Sequence, residues 1–198
     1  MPVLVTVLLW ILMKTWQDGR AALWAMVKRA QLPVDHLLRE LQGKNIVRVR
    51  GTGVFLSSSP EGLPLVLLHH LKHNKALHER VVLLSVQFEG VPHVADSQRV
   101  TRTDLQPDFH RVVLHYGFME SPEVMRDLCR SLECKGMDQL RNISFYQSRE
   151  LLLTTGRSPM AQWRKRLFVF LSRMARPATG YFQLPSRQVI ELGIQMEL

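Results

Sequence analysis

Cysteine is scarce in this 198-residue chain, which carries only Cys129 and Cys134. Two thiols exclude a disulfide scaffold and point to a reducing compartment. Four residues separate them, not the two of a redox or zinc pair, so they read as unpaired thiols. The sequence also lacks a GxxxxGKS or GxxxxGKT loop, a GxGxxG turn, an HExxH pair and a GxSxG elbow. Gly51-Thr-Gly53 is too short to stand in for any of them. No close carboxylate pair marks an acid/base site, and Ser57–Ser59 before Pro60 reads as a turn. The residues therefore give no sign of an enzyme and no reason to expect a cofactor. No repeat and no low-complexity tract is present, and 46% apolar with 22% charged residues excludes wholesale disorder. Basic residues outnumber acidic ones, 26 to 17, for a net charge of +9 spread over both halves of the chain. That balance suits nucleic acid, an anionic membrane face, or neither. Nucleic acid is disfavoured, because no RNP-like or helix-turn-helix pattern accompanies the charge.

What is present begins with an uncharged run, MPVLVTVLLWILM, over residues 1–13. As a helix it reaches about 20 Å, short of a bilayer core of roughly 30 Å. It is a poor signal peptide, since no basic residue precedes it and no A-x-A-like site follows. A buried core helix and the trailing half of a transmembrane helix both fit its composition. The flank favours the second. Lys14, Trp16 and Arg20 form the tryptophan-and-basic belt of a helix leaving lipid. Residues 14–50 hold eight basic and three acidic residues, which by the positive-inside rule makes this flank cytoplasmic. Trp16, Arg20, Leu23, Trp24 and Val27 recur at spacings of three and four, so a helix along the membrane surface is preferred over an ordinary amphipathic helix packed on its own domain.

The remainder reads as an α/β domain with a mixed sheet and flanking helices. Pro33 with Asp35 opens a helical stretch that Gly43 closes. Strands are predicted near Gly53–Ser57, Arg80–Phe88, Arg99–Thr103 and Phe109–Tyr116. The apolar Arg80–Phe88 run suits a strand covered on both faces. Two short strands are expected at Ile143–Gln147 and Glu150–Thr154, and a last one at Val189–Leu198. Helices are predicted at Leu63–Asn74, Pro122–Leu132 and Met160–Met174.

Two stretches carry candidate chemistry. In His69–Arg80, His69 and His73 share a helix face at a spacing zinc sites use, but no further ligands lie nearby, so packing is the better reading and no metal is expected. Lys72, His73 and Lys75 could face a phosphate, although no phosphate-binding loop accompanies them. In the second stretch, Met160, Trp163, Leu167, Phe170, Leu171 and Met174 form an apolar stripe at helical spacing. Residues 157–176 hold six basic residues and no acidic one. This pattern describes a core helix with a solvated arginine face, which is preferred over a helix docked on an anionic membrane.

Taken in order, these motifs resemble the C-terminal part of the Kup potassium-uptake transporters, the KUP/HAK/KT family. Trp16-x-x-Gly19-Arg20 resembles the exit from the family's last transmembrane helix, and Arg48–Leu56 its first cytosolic strand. The stretch from Leu63-Pro64 through His69-His-Leu-Lys-His-Asn-Lys-Ala-Leu-His-Glu-Arg80 is similar to its most recognisable cytosolic segment. Tyr116-Gly117-Phe118 and the ending from Leu184-Pro185 through Gly193 match in order. The resemblance implies that residues 1–15 are the tail of the last transmembrane helix, 16–44 a juxtamembrane helical linker and 45–198 a cytosolic domain. It implies proton-coupled potassium uptake across the inner membrane by a multi-pass protein, with the residues after about 16 in the cytoplasm. Because the family's ion sites lie on earlier helices, it assigns no ion ligand here. A lipid bilayer, a homodimer, and potassium and a proton bound outside these residues are the expected partners. The alternative is a free-standing soluble α/β binding domain with a short apolar anchor.

Overall fold

The structure, a computed structural model, describes residues 1–30, 34, 37, 39, 46–134, 141–156, 160–174 and 182–197. The helical stretch expected from Pro33 and Asp35 to Gly43 lies for the most part outside the described residues, as do the side chains of Arg157 and Arg176. The chain divides into two compact units, one of Met1–Ala30, Glu150–Arg176 and Gly193–Leu198, the other of Gln31–Arg149 and Pro177–Leu192. We call them the helical unit and the sheet unit.

The sheet follows from runs of β-branched and aromatic residues with side chains alternating between faces. Its strands are β1 (Val47–Ser57), β2 (Ala76–Glu89), β3 (Val100–Gln106), β4 (Phe109–Gly117), β5 (Ile143–Leu153) and β6 (Val189–Glu197), in the order β3-β4-β2-β1-β5-β6. β4, β2, β1 and β5 run parallel, while β3 is an antiparallel neighbour of β4. The mixed α/β sheet with flanking helices is therefore as expected. One face buries Phe55, Val81, Leu83, Phe109 and Tyr146 with Val66 and Leu67 of α2 (Leu65–Asn74). The other buries Val54, Val82, Leu84, Val112, Leu114 and Phe145 with Val124 and Leu128 of α3 (Val124–Ser131). Two covered faces explain why β2 reads as an almost unbroken apolar run.

The two short strands expected at Ile143–Gln147 and Glu150–Thr154 are one strand, β5. The polar Ser148-Arg149 pair between them contains no turn-forming Gly or Pro. It marks the point where the strand passes from a buried half to an exposed half. Pro64 stands just ahead of α2 rather than within its first turn, and the carbonyl of Pro64 accepts from the amides of Leu67 and Leu68. In β1 the register against β2 breaks between Val49 and Thr52, where Gly51 takes φ 110°. Its amide neighbour Thr52 donates to the Asn142 carbonyl at 3.0 Å. A side chain there would meet that carbonyl and force a conformation L-residues avoid.

The helical unit holds α1 (Pro2–Ala30) and α4 (Gln162–Met174). The apolar run and the stretch expected along a membrane surface are thus one continuous helix. Among the described residues, no helix is long and apolar enough to cross a membrane.

Candidate functional site

Residues 1–10 of α1 are exposed throughout, with Leu4 at 71% and Trp10 at 65%. Inward packing starts at Thr15 and continues at Gly19 and Leu23, positions four apart on one helix face. α4 supplies the partners. Arg164 Nε donates to Thr15 Oγ1 at 3.2 Å, and its Nη2 donates to Asp18 Oδ2 at 2.8 Å. Lys14 Nζ reaches the other carboxylate oxygen of Asp18 at 3.2 Å. Hydrogen bonds from Arg164 and then Lys14 hold the Asp18 carboxyl below the usual carboxylate range. The fully buried Phe168 ring lies against Gly19, where an added Cβ would meet ring carbon Cδ2 at 2.3 Å. Phe168 also meets Trp16, with ring centroids 5.6 Å apart.

Of the three residues predicted to meet the membrane interface, the structure brings two together. The Arg20 guanidinium lies 6.0 Å from the centre of the Trp16 ring, within cation–π range. Lys14 is exposed and turns to Asp18 instead. The preferred reading of α4 as a core helix with a buried apolar stripe fails at three of its six positions, while Met160 is buried and Leu167 and Leu171 are half-buried. Trp163, Phe170 and Met174 are 56%, 58% and 71% exposed, while Lys165 and Phe168 are buried. The Lys165 ammonium donates to the Gly156 carbonyl at 2.6 Å, one compensation for leaving water. The sequence signal for this inversion was weak, because a lysine between two arginines reads as part of a solvated face.

In the sheet unit the histidine-rich run forms the corner between α2 and β2. His69 and His73 stack with centroids 6.0 Å apart, and among the described residues no group of three His, Cys, Asp or Glu could hold a metal ion. Lys72 and Lys75 are exposed, and Lys75 ends α2 in a left-handed conformation, its amide donating to the Leu71 carbonyl. His70 and His78 instead turn inward around Tyr146. Their rings lie 4.7 and 5.7 Å from the tyrosine ring and 6.4 Å from each other, and Phe55 stacks on Tyr146 at 4.8 Å. The Asn74 amide donates to His70 Nδ1 at 2.9 Å. Among the described residues no hydrogen-bond partner reaches the buried His78 Nδ1, which lies against a bare Gly53 where a Cβ would come within 2.7 Å. Burial pushes both histidines below their ordinary value, and His78 adds a repulsion to His70. His70 and His78 thus pack with Tyr146 and Phe55 in one aromatic corner.

A second polar network, not expected from sequence pattern, lies at the end of β4. Arg99 Nη2 donates to Glu120 Oε1 at 2.6 Å and to the Val94 carbonyl at 2.8 Å. Glu120 Oε2 accepts from the Gly117 amide at 2.6 Å. Arg99 and then this amide hold the Glu120 carboxyl at about 2. Arg99 also covers the Tyr116 ring at 5.3 Å, and Tyr116 donates to the fully buried Asp127 at 2.7 Å. Gly117 is required by contact, since a Cβ would meet the Pro92 carbonyl oxygen at 2.1 Å. Open α/β sheets place ligands at such strand ends. Here the polar groups bind one another and tie the loop before β3 to the loop after β4. Tyr116 and Gly117 stand in a motif already singled out, but Arg99 lies 21 positions before Glu120 and no sequence pattern joins it to them. The remaining candidates are structural too. Ser57 and Ser85 hydroxyls donate to the Ser59 carbonyl at 2.7 and 3.1 Å, closing the expected turn. Cys129 and Cys134 are free thiols, and burial followed by the neighbouring Cys134 pushes Cys129 up to about 12, far from thiolate reactivity.

The family model described as the K+ potassium transporter C-terminal domain matches residues 50–198. A protein named "Probable potassium transport system protein Kup" from Myxococcus xanthus (strain DK1622) is 46% identical over 198 residues, covering 100% of this chain and 30% of its own. The protein of that name from Anaeromyxobacter dehalogenans (strain 2CP-C) is 42% identical over 203 residues, again with 100% and 30% coverage. "Probable potassium transport system protein Kup 1" from Syntrophobacter fumaroxidans is 41% identical over 196 residues, with 99% and 30% coverage. The chain therefore spans about 30% of the length of these curated relatives. No solved structure matches it.

Proposed function

The chain belongs to the K+ potassium transporter C-terminal domain family, and from that membership we propose that it is the cytosolic C-terminal part of a proton-coupled potassium-uptake transporter. The observation that carries the reading is identity of 41–46% along essentially the whole chain to proteins named for potassium transport. In this reading residues 1–15 end the last transmembrane helix in the inner membrane. Residues 16–44 link it to a cytosolic domain, 45–198, that regulates the transporter or joins it into a homodimer. Lys14, Trp16 and Arg20 meet the lipid headgroups. The fully exposed apolar start of α1 supports this, because such a surface is costly in water and favourable in lipid. Potassium and the proton bind elsewhere in the full-length protein. The domain catalyses no reaction, in keeping with polar groups engaged mainly with one another.

The test is potassium uptake into liposomes. A full-length transporter ending in this chain is expected to take up potassium. The 198 residues alone are expected to take up none, because a permeation path needs several helices around a polar cavity. Uptake by the chain alone, or failure of the full-length protein, would overturn the reading.

A further inference from the structure

α4 buries Lys165 together with Phe168 and turns outward three large apolar residues, Trp163, Phe170 and Met174. At about 100° per residue, Trp163, Leu167, Phe170 and Met174 fall within an arc of about 60°. Three of them are more than half exposed. Lys165 and Phe168 lie on the far side and are buried. Arg166 and Arg173, both exposed, border the apolar arc on one side, and no acidic residue occurs between positions 157 and 176. Large rings and a methionine rimmed by guanidinium groups match the boundary of an anionic bilayer, where apolar tips enter the acyl region and arginines meet phosphates.

Position within the unit adds a second argument. Arg164 and Phe168 pin α4 to Thr15, Trp16, Asp18 and Gly19, directly after the exposed apolar run that ends at Met13. If that run enters lipid, its exit point is where α4 is anchored. We propose that α4 is a membrane-docking helix that lays Trp163, Phe170 and Met174 into an anionic phospholipid leaflet, with Arg166 and Arg173 on the headgroups. The proposal rests on the reading of residues 1–13 as membrane-embedded, and the experiment below separates the two.

Two single-tryptophan forms of the full chain report on each claim. One keeps Trp163 (Trp10→Phe, Trp16→Phe, Trp24→Phe), and the other keeps Trp10 (Trp16→Phe, Trp24→Phe, Trp163→Phe). Both are mixed with phosphatidylglycerol vesicles carrying brominated acyl chains. Quenching of both tryptophans is expected, with Trp163 released by high salt and Trp10 retained. Each basic residue near an anionic surface favours docking about fivefold. Arg166→Gln with Arg173→Gln should therefore lower the docked population of α4 about thirtyfold. Hydrogen exchange across residues 162–174 of the unsubstituted chain, with and without vesicles, gives the same answer without substitutions, and protection by vesicles is expected. Quenched Trp10 with unchanged Trp163 and unchanged exchange would overturn the inference and leave the proposed function standing. If neither tryptophan is quenched, both fall. Protection of α4 that grows with protein concentration in the absence of vesicles would overturn the inference in favour of a second copy on this face.

Discussion

The sheet unit and the helical unit meet the burial problem in opposite ways. In the sheet unit the central apolar residues of β1, β2, β4 and β5 are covered on both faces, with Val54, Phe55, Val81, Val82 and Phe145 completely buried, while Val47, Val49 and Phe88 toward the strand ends are exposed. In the helical unit most large apolar side chains of α1 and α4 stand outside, and the contact between the two helices is built from Thr15, Gly19, Arg164 and Phe168. A closed two-sided core is what a water-surrounded domain needs. Apolar side chains left outside in such number are a surface with a second solvent or partner. The contrast teaches that one short chain can hold an interior finished by its own folding and a surface that folding leaves open.

The strongest way to break this comparison is to truncate one aromatic ring in each unit. Phe145→Ala in the sheet core is expected to cost about 3–5 kcal/mol through lost burial and a residual cavity. Phe170→Ala on the open face of α4 should stay within about 0.5 kcal/mol. Urea unfolding of both variants checks the pair. Equal losses would mean that Phe170 is covered by the protein itself.

A smaller effect sharpens the account of how α1 and α4 meet. Helix propensity alone predicts that Gly19→Ala stabilises α1 by about 1 kcal/mol. The Phe168 ring reverses the sign, because the new methyl would overlap a buried ring that has to move, at a cost of about 1–3 kcal/mol. A lowered thermal midpoint is expected. A raised one would show that α1 and α4 are not held in contact through this position.

The smallest expected effect is confined to the sheet unit and concerns His70 and His78. Both have folded-state values pushed below 6.5 by burial. The unfolded chain therefore binds more protons as the pH drops below about 6.5, and stability falls in that direction. Arg48 donates to the His78 carbonyl at 3.0 Å and, being a cation, offers no counter-charge. Chemical denaturation from pH 7.5 down to 5.5 should show a declining midpoint, and His78→Gln should flatten that decline. A flat profile in the unsubstituted chain would mean the rings gain protons without penalty.

Much of the sheet unit was legible in the residues. β2 and β4 appear where apolar runs built around Val81-Val82 and Val112-Val113 stand, because strand burial is written in neighbours two residues apart. The division of β5 into two strands failed because exposure changes along one strand, and a polar pair imitates a turn. The network of Arg99, Glu120, Tyr116 and Asp127 could not be foreseen. Each partner is ordinary in its own segment, and only the return of the loop after β4 brings them within hydrogen-bond distance. The histidine run was legible as packing, but which rings turn inward depended on Tyr146, which lies 68 positions beyond His78.

By itself the sequence determined the family, through its ordered motifs, and the class of fold and the uncharged apolar character of residues 1–13, through composition and short-range periodicity. None of these depends on what lies across the structure. Tertiary structure alone decided which side of α4 faces inward. A helix carries an apolar stripe whatever covers it. The inner side is chosen by what its neighbour offers, and α1, about 150 positions earlier, offers a hydroxyl, a carboxylate and a bare glycine. Those groups fit Arg164 and Phe168, so the tryptophan and methionine were left outside.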